Sequence, residues 1–123
     1  MKTKEKLSMV LPAYNESGNI EMAARQLEAL CCREELDYEL IFVNDGSKDT
    51  TWEEICEVSK NNPHIKGICF SRNFGKEAAV TAGLECASGD GVVVMDCDLQ
   101  HPPDVIPSMI QLWRQGYAII EGV

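Results

Sequence analysis

In Glu39-Leu40-Ile41-Phe42-Val43-Asn44-Asp45-Gly46-Ser47 a run of consecutive apolar residues, Leu40 to Val43, stops abruptly in a polar, glycine-containing turn. An unbroken run that includes β-branched Ile and Val suits a strand covered on both faces, because neither side of the pleat carries polar groups for water. The stretch after the turn, residues 50–60, places apolar residues at helical spacing. A buried strand followed by an amphipathic helix is the unit of a parallel sheet with helices packed on it.

The same unit recurs on both sides, with a period of about 25 residues, that of a βα unit rather than a solenoid repeat. Strands are expected at 8–12, 39–44, 65–70, 91–95 and 117–120, and helices at 17–33, 50–60, 75–87 and 103–115. Ser17 stands where it can cap the first helix, whose inner face is expected to carry Ile20, Ala23, Ala24, Leu27 and Leu30. The fold class is α/β: a three-layer α/β/α sandwich with a mostly parallel, interior sheet. Met9, Met22, Met95 and Met109 read as core filler. The last strand has no helix after it, so residues 1–123 read as one domain of a truncated protein, and the exposed edge makes a homodimer conceivable.

The chain has 123 residues, 45% of them hydrophobic, which is enough for one core without a metal or disulfides to hold it. With 11 Lys+Arg against 20 Asp+Glu the formal charge is −9, so a nucleic-acid partner is excluded for want of a basic footprint. No apolar run reaches the length of a membrane span, and the basic start meets Pro12 too early for a signal peptide. The six cysteines form no C-x-x-C pair and read as reduced, mostly buried thiols of a soluble, cytoplasmic chain.

In open parallel sheets ligands bind outside the carboxyl ends of the strands. The residues to read are therefore Pro12-Ala13-Tyr14-Asn15-Glu16, the turn at 44–49, Ser71-Arg72-Asn73-Phe74-Gly75-Lys76, and Asp96-Cys97-Asp98-Leu99-Gln100-His101. Neither G-x-x-x-x-G-K-[ST] nor a G-x-G-x-x-G after the first strand is present, which counts against a P-loop nucleotidase and a dinucleotide oxidoreductase. Asp96 and Asp98 stand two apart at a strand end and point to one side, an arrangement that suits Mg²⁺ or Mn²⁺. A metal there lets an acidic protein bind an anionic phosphate ligand. The plain alternative is a solvated turn that caps the following helix. Asp45 can meet a base or ribose, or close a turn with Gly46. Tyr14 offers a ring for a base, Glu16 a carboxylate and Lys76 an ammonium for a phosphate, although each alone also reads as an ordinary surface residue. His101 reads as a loop-packing residue sooner than a metal ligand.

Taken in order and spacing, Leu11-Pro12-Ala13-Tyr14-Asn15-Glu16, the 43–51 segment VNDGSKDTT, the 71–83 segment SRNFGKEAAVTAG and the 95–103 segment MDCDLQHPP resemble the family 2 glycosyltransferases of GT-A fold. The likeness is strongest to the dolichyl-phosphate mannosyltransferases and bacterial polyprenyl-phosphate glycosyltransferases, and covers about residues 7–123. It implies the Rossmann-like, nucleotide-binding half of a GT-A fold, with Pro12, Tyr14, Glu16, Asp45, Lys76, Asp96 and Cys97 about the nucleotide. Asp45 would meet the base; Asp96, Asp98 and Gln100 would hold Mg²⁺ or Mn²⁺, with Asp96 and Asp98 central to catalysis. Arg72 and Lys76 belong to a motif near the nucleotide. Asn44 stands where many members carry Asp, and Cys97 fills the variable middle of D-x-D.

The reaction so implied moves a hexose from a UDP- or GDP-sugar to polyprenyl or dolichyl phosphate, with inversion and with a metal. Such a protein at full length is expected on the cytoplasmic face of a membrane, where it meets its lipid-phosphate acceptor. Residues 1–123 alone are expected to bind the donor and to turn over weakly or not at all. Two rivals stand beside this reading: a non-catalytic nucleotide-binding module, and a receiver-like signalling domain. The latter needs an acidic pair directly after the first strand, where this chain offers only Glu16.

Overall fold

The computed structural model describes residues 6–97 and the backbone of 119–121. The expected helix at 103–115, and with it Met109, lies outside the described residues. Five strands, β1 (Lys6–Ala13), β2 (Asp37–Asn44), β3 (Ile65–Cys69), β4 (Gly91–Val94) and β5 (Ile119–Glu121), form one sheet in the order β3-β2-β1-β4-β5. Every pairing is parallel. Three helices, α1 (Ile20–Arg33), α2 (Thr51–Asn61) and α3 (Lys76–Cys86), connect the first four strands.

Alternation along β1 builds the layers, because successive side chains leave opposite faces of a strand. Leu7, Met9, Leu11 and Ala13 join the core under α1 and α2, together with Ile20, Ala23, Ala24, Leu27, Leu30 and Ile55. Val10 joins Ile41, Val43, Val94 and Ala79 of α3 in a second core on the other face. Register places Val10 between Ile41 and Val94 across the sheet. The α/β/α sandwich is as expected, and so is the inner face of α1, to which the structure adds Cys31.

Several expectations are corrected. β3 is an edge strand, with Lys66, Gly67 and Cys69 exposed, so the sheet is not covered throughout. Met22 is 55% exposed on the outer face of α1, whereas Met9 and Met95 are core residues as expected. Only Cys31 and Cys97 of the six free cysteines are buried. Cys32, Cys56 and Cys86 lie in helices and Cys69 in the edge strand, all at solvent-facing positions. Ser17 does not cap α1: the helix begins at Ile20, and its N-cap Asn19 makes no side-chain capping bond. The N–H of Ser17 donates instead to Asp49 (3.2 Å) and that of Gly18 to Glu54 (2.9 Å), so carboxylates just before and within the first turn of α2 hold the loop that leads into α1.

α3 approaches the sheet closely enough to fix where its first residue lies. A Cβ built on Gly83 would stand 2.3 Å from Val10 Cγ1, a separation only glycine permits. Ala79, one turn earlier, is fully buried on the same side.

Candidate functional site

α1 and α2 pack on one face of the sheet and α3 on the other, and the strand order turns back between β1 and β4, so the crevice beyond the carboxyl ends of these two strands is the switch point where ligands of such folds bind. A cavity of about 250 Å³ lies there, bordered by Pro12, Ala13, Tyr14, Glu16, Asp45, Lys76 and Asp96. Six of these seven are residues that the sequence singled out. Among the described residues the charged groups on its wall are three carboxylates and one ammonium, a balance that draws in a cation and repels a bare diphosphate.

The Tyr14 end rests on hydrogen bonds between the loop after β1 and the start of α2. Asn15, in the left-handed region at φ 52°, accepts from the Lys48 N–H through Oδ1 (2.9 Å), while its own N–H donates to Ser47 Oγ (2.9 Å). Asn tolerates that backbone better than most residues. The Glu16 N–H donates to the Thr51 hydroxyl (2.8 Å), which in turn donates to Asp49 Oδ1. That hydroxyl, with further N–H donors from Thr51 and Ser17, lowers the Asp49 pKa to about 2. Tyr14 is left 45% exposed at the rim, its ring open to a planar ligand.

Asp45 is 3% exposed and serves two purposes. Its backbone N–H extends the β1–β2 ladder by donating to the Ala13 carbonyl (2.8 Å). Its carboxylate accepts from the N–H of Phe74 (2.7 Å) and of Gly75 (3.0 Å), and from the Asn73 side-chain amide (3.2 Å). The turn expected at Asp45 is made by its neighbour, since Asn44 Oδ1 accepts from the Ser47 N–H (3.1 Å). A carboxylate has about four lone-pair sites, so Asp45 can hold the loop before α3 and still present acceptor capacity to the cavity it borders. Gly46, at φ +67°, belongs to the same junction: a Cβ there would lie 2.2 Å from the Arg72 carbonyl carbon.

Arg72 lies over the Phe74 ring at 4.9 Å, and Phe70 meets that ring edge-on, so the 70–74 segment has its own side-chain packing. Lys76 follows as the first residue of α3 and is not a free ammonium: its Nζ is 3.0 Å from Asp96 Oδ1 across the cavity. Cys97 turns under the loop, its thiol pointing at the Pro12 and Leu11 carbonyls (3.5 and 3.9 Å), and it is 1% exposed. It fixes the backbone after β4 and does not border the cavity. Asp98, Gln100 and His101 lie outside the described residues. Among the described residues no group of three metal-ligating side chains occurs. The hard carboxylate of Asp96, half-exposed and already paired with a cation, is nevertheless the donor type that Mg²⁺ or Mn²⁺ takes.

The family model described as Glycosyl transferase family 2 matches residues 8–123. The chain belongs to glycosyl transferase family 2. Within that family, this chain is 45% identical over 116 residues to the uncharacterized glycosyltransferase YkcC of Bacillus subtilis, covering 94% of the chain and 36% of the relative. It is 40% identical over 111 residues to the bactoprenol glucosyl transferase of Shigella phage SfV, covering 90% and 36%. The chain thus spans about a third of the length of these relatives. A mannosyltransferase from Pyrobaculum calidifontis, in complex with GDP-Man and Mn²⁺, superimposes with a TM-score of 0.73 at 22% identity over 89% of this chain and 32% of that one. That likeness shows the GT-A fold of this family 2 chain. No helix among its described residues is long and apolar enough to cross a membrane.

Proposed function

We propose that this chain is the donor-binding part of a transferase that moves a hexose from a UDP- or GDP-linked sugar to polyprenyl phosphate, with inversion and with Mg²⁺ or Mn²⁺. The observation that carries the reading is the cavity at the switch point, lined by Tyr14, Glu16, Asp45, Lys76 and Asp96 and rich in carboxylates. Support comes from the bactoprenol glucosyl transferase among the relatives and from the GDP-Man and Mn²⁺ in the structural neighbour.

In this reading the base lies against Tyr14 and within reach of Asp45, while Glu16 faces the ribose. Asp96, with Asp98 and Gln100, would hold the metal, which would supply charge stabilisation to the leaving diphosphate. Lys76 adds a positive charge on the same side. A phosphate acceptor is already anionic near neutral pH, so the chain need not furnish a strong general base, and a single displacement inverts the anomeric carbon. A lipid-borne acceptor places the full-length enzyme at the cytoplasmic membrane face, where cytosolic nucleotide sugars are available.

Calorimetric titration of UDP, GDP, UDP-glucose and GDP-mannose, with Mn²⁺ or with EDTA, tests the reading on the wild type and on Asp96→Ala. Metal-dependent binding of one base that the variant loses is the expected result. Binding that is equally strong in EDTA, or unchanged in the variant, overturns the metal assignment.

A further inference from the structure

We propose that Lys76 is a resident counter-ion of Asp96 that gives up this carboxylate to the incoming divalent ion and turns to the donor diphosphate, so that metal and nucleotide bind with positive coupling through one side chain. The proposal rests on the donor-site reading above.

Three observations carry it. The Lys76–Asp96 pair spans the cavity at 3.0 Å with both side chains about half exposed, 58% and 44%. An ion pair so open to water contributes little stability and parts readily. The backbone beneath Lys76, by contrast, is held firmly: Asp45 accepts hydrogen bonds from the two N–H groups just before it, and Gly83 seats α3 against Val10. A flexible four-carbon stem therefore swings from a fixed base. Finally, Lys76 is the one ammonium among the described lining residues, beside Glu16, Asp45 and Asp96, so without a metal it offsets part of the negative charge there.

A divalent ion on Asp96 and an ammonium 3.0 Å from the same oxygen repel each other, so metal binding releases Lys76. The released ammonium finds its next anion in the donor diphosphate. Each ligand thereby favours the swung-out side chain, and such linkage is reciprocal: nucleotide must tighten metal binding by the factor with which metal tightens nucleotide binding. A merely structural ion pair predicts no such coupling through Lys76.

The test measures Mn²⁺ binding by electron paramagnetic resonance, without nucleotide and with saturating UDP or GDP, for the wild type, Lys76→Met and Lys76→Arg. Circular dichroism confirms that each variant is folded, as expected for a side chain this exposed. Lys76→Met should bind Mn²⁺ alone about two- to fivefold more tightly than the wild type, the range for losing an exposed ionic competitor. Its nucleotide-induced gain in Mn²⁺ affinity should shrink by at least the same factor, and Lys76→Arg should keep the wild-type gain. Unchanged or weaker Mn²⁺ binding by Lys76→Met, or an undiminished gain, overturns this inference and leaves the donor site standing. A wild type that binds no Mn²⁺ with either nucleotide overturns the donor-site reading and this inference with it.

Discussion

The carboxylate of Asp45, at the end of β2, holds the backbone N–H of Gly75, thirty positions later, at 3.0 Å, and so joins the cavity wall beyond β2 to the helix that begins with Lys76. The N–H groups of Phe74 and Gly75 bond different oxygens of Asp45, so Asp45→Asn, which replaces one oxygen by an NH₂ group, leaves one of the two donors without its acceptor. A buried donor left unmade costs about 1–3 kcal/mol, so the variant should lose that much stability in a urea denaturation. Nucleotide affinity should fall further than stability alone explains, because Lys76 loses its fixed base. A variant with wild-type stability and weakened nucleotide binding would show that Asp45 acts on the ligand only.

Thr51 is fully buried, and its hydroxyl links Glu16 to Asp49. Thr51→Val keeps the shape of the side chain and removes the hydroxyl, leaving the Glu16 N–H without this acceptor. Nucleotide affinity should fall a few-fold, with a stability loss of about 1 kcal/mol. Thr51→Ser, which keeps the oxygen, should restore binding more than stability, and titration calorimetry beside thermal melting separates the two.

At the opposite end of the sheet, Glu39 is 2% exposed and accepts hydrogen bonds from Ser8 Oγ, Lys66 Nζ and the Ser88 N–H and hydroxyl. Burial alone would push its pKa up; the Lys66 ammonium, then Ser8 and Ser88, outweigh it and hold the pKa down to about 2, against an ordinary 4.5. A pKa depressed on folding stabilises the protein fully above the unfolded value and loses that contribution as pH falls through the folded one. That contribution is of the order of 3 kcal/mol, present above about pH 5 and gone near pH 2. Glu39→Gln should therefore be less stable than the wild type at pH 6, with the gap closing as pH falls toward 2. Denaturant midpoints taken across that range check it, and a gap that does not change with pH would remove the ionised Glu39 from the account.

The interior strands were legible because β1 contains the apolar run Met9 to Ala13 and β2 the run Leu40 to Val43, and an uninterrupted apolar run has few other folded uses. β3 was misjudged as buried, since Ile65 and Ile68 give the same local pattern whether or not a second neighbour strand lies beyond them. The cavity residues could be picked out because topology confines ligands to the carboxyl ends of the strands. What each carboxylate does could not be: Asp45 is engaged by residues 73–75 and Asp96 by Lys76, and contacts across 20 to 30 positions leave no periodic trace. Ser17 misled for a related reason, as its own N–H and that of Gly18 are taken up by Asp49 and Glu54 from a distant stretch of chain, which holds it in the loop ahead of α1. Asn15, Gly46 and Gly75 did carry a signal, Asn and Gly being the residues that tolerate positive φ, but nothing local distinguished a site-forming turn from an ordinary one.

The seating of α3 on β1 gives the last test. A Cβ at position 83 would meet Val10 Cγ1 at 2.3 Å, and Val10 is wedged between Ile41 and Val94, so it cannot step aside. Gly83→Ala removes a flexible glycine from a helix, which by itself would favour folding by up to about 1 kcal/mol. Overpacking of this kind typically costs about 1–3 kcal/mol, so the net effect should be destabilising, and the displaced helix should carry Lys76 away from Asp96. The double variant Gly83→Ala with Val10→Ala opens room for the new methyl and should recover part of the stability and of the Mn²⁺ response, although Val10→Ala alone destabilises. That non-additivity is the diagnostic outcome, because it appears only if the two side chains compete for one space. Strictly additive losses in a double-mutant cycle would mean that α3 lies farther from the sheet, and that the position of Lys76 is set by the Asp45 clamp alone.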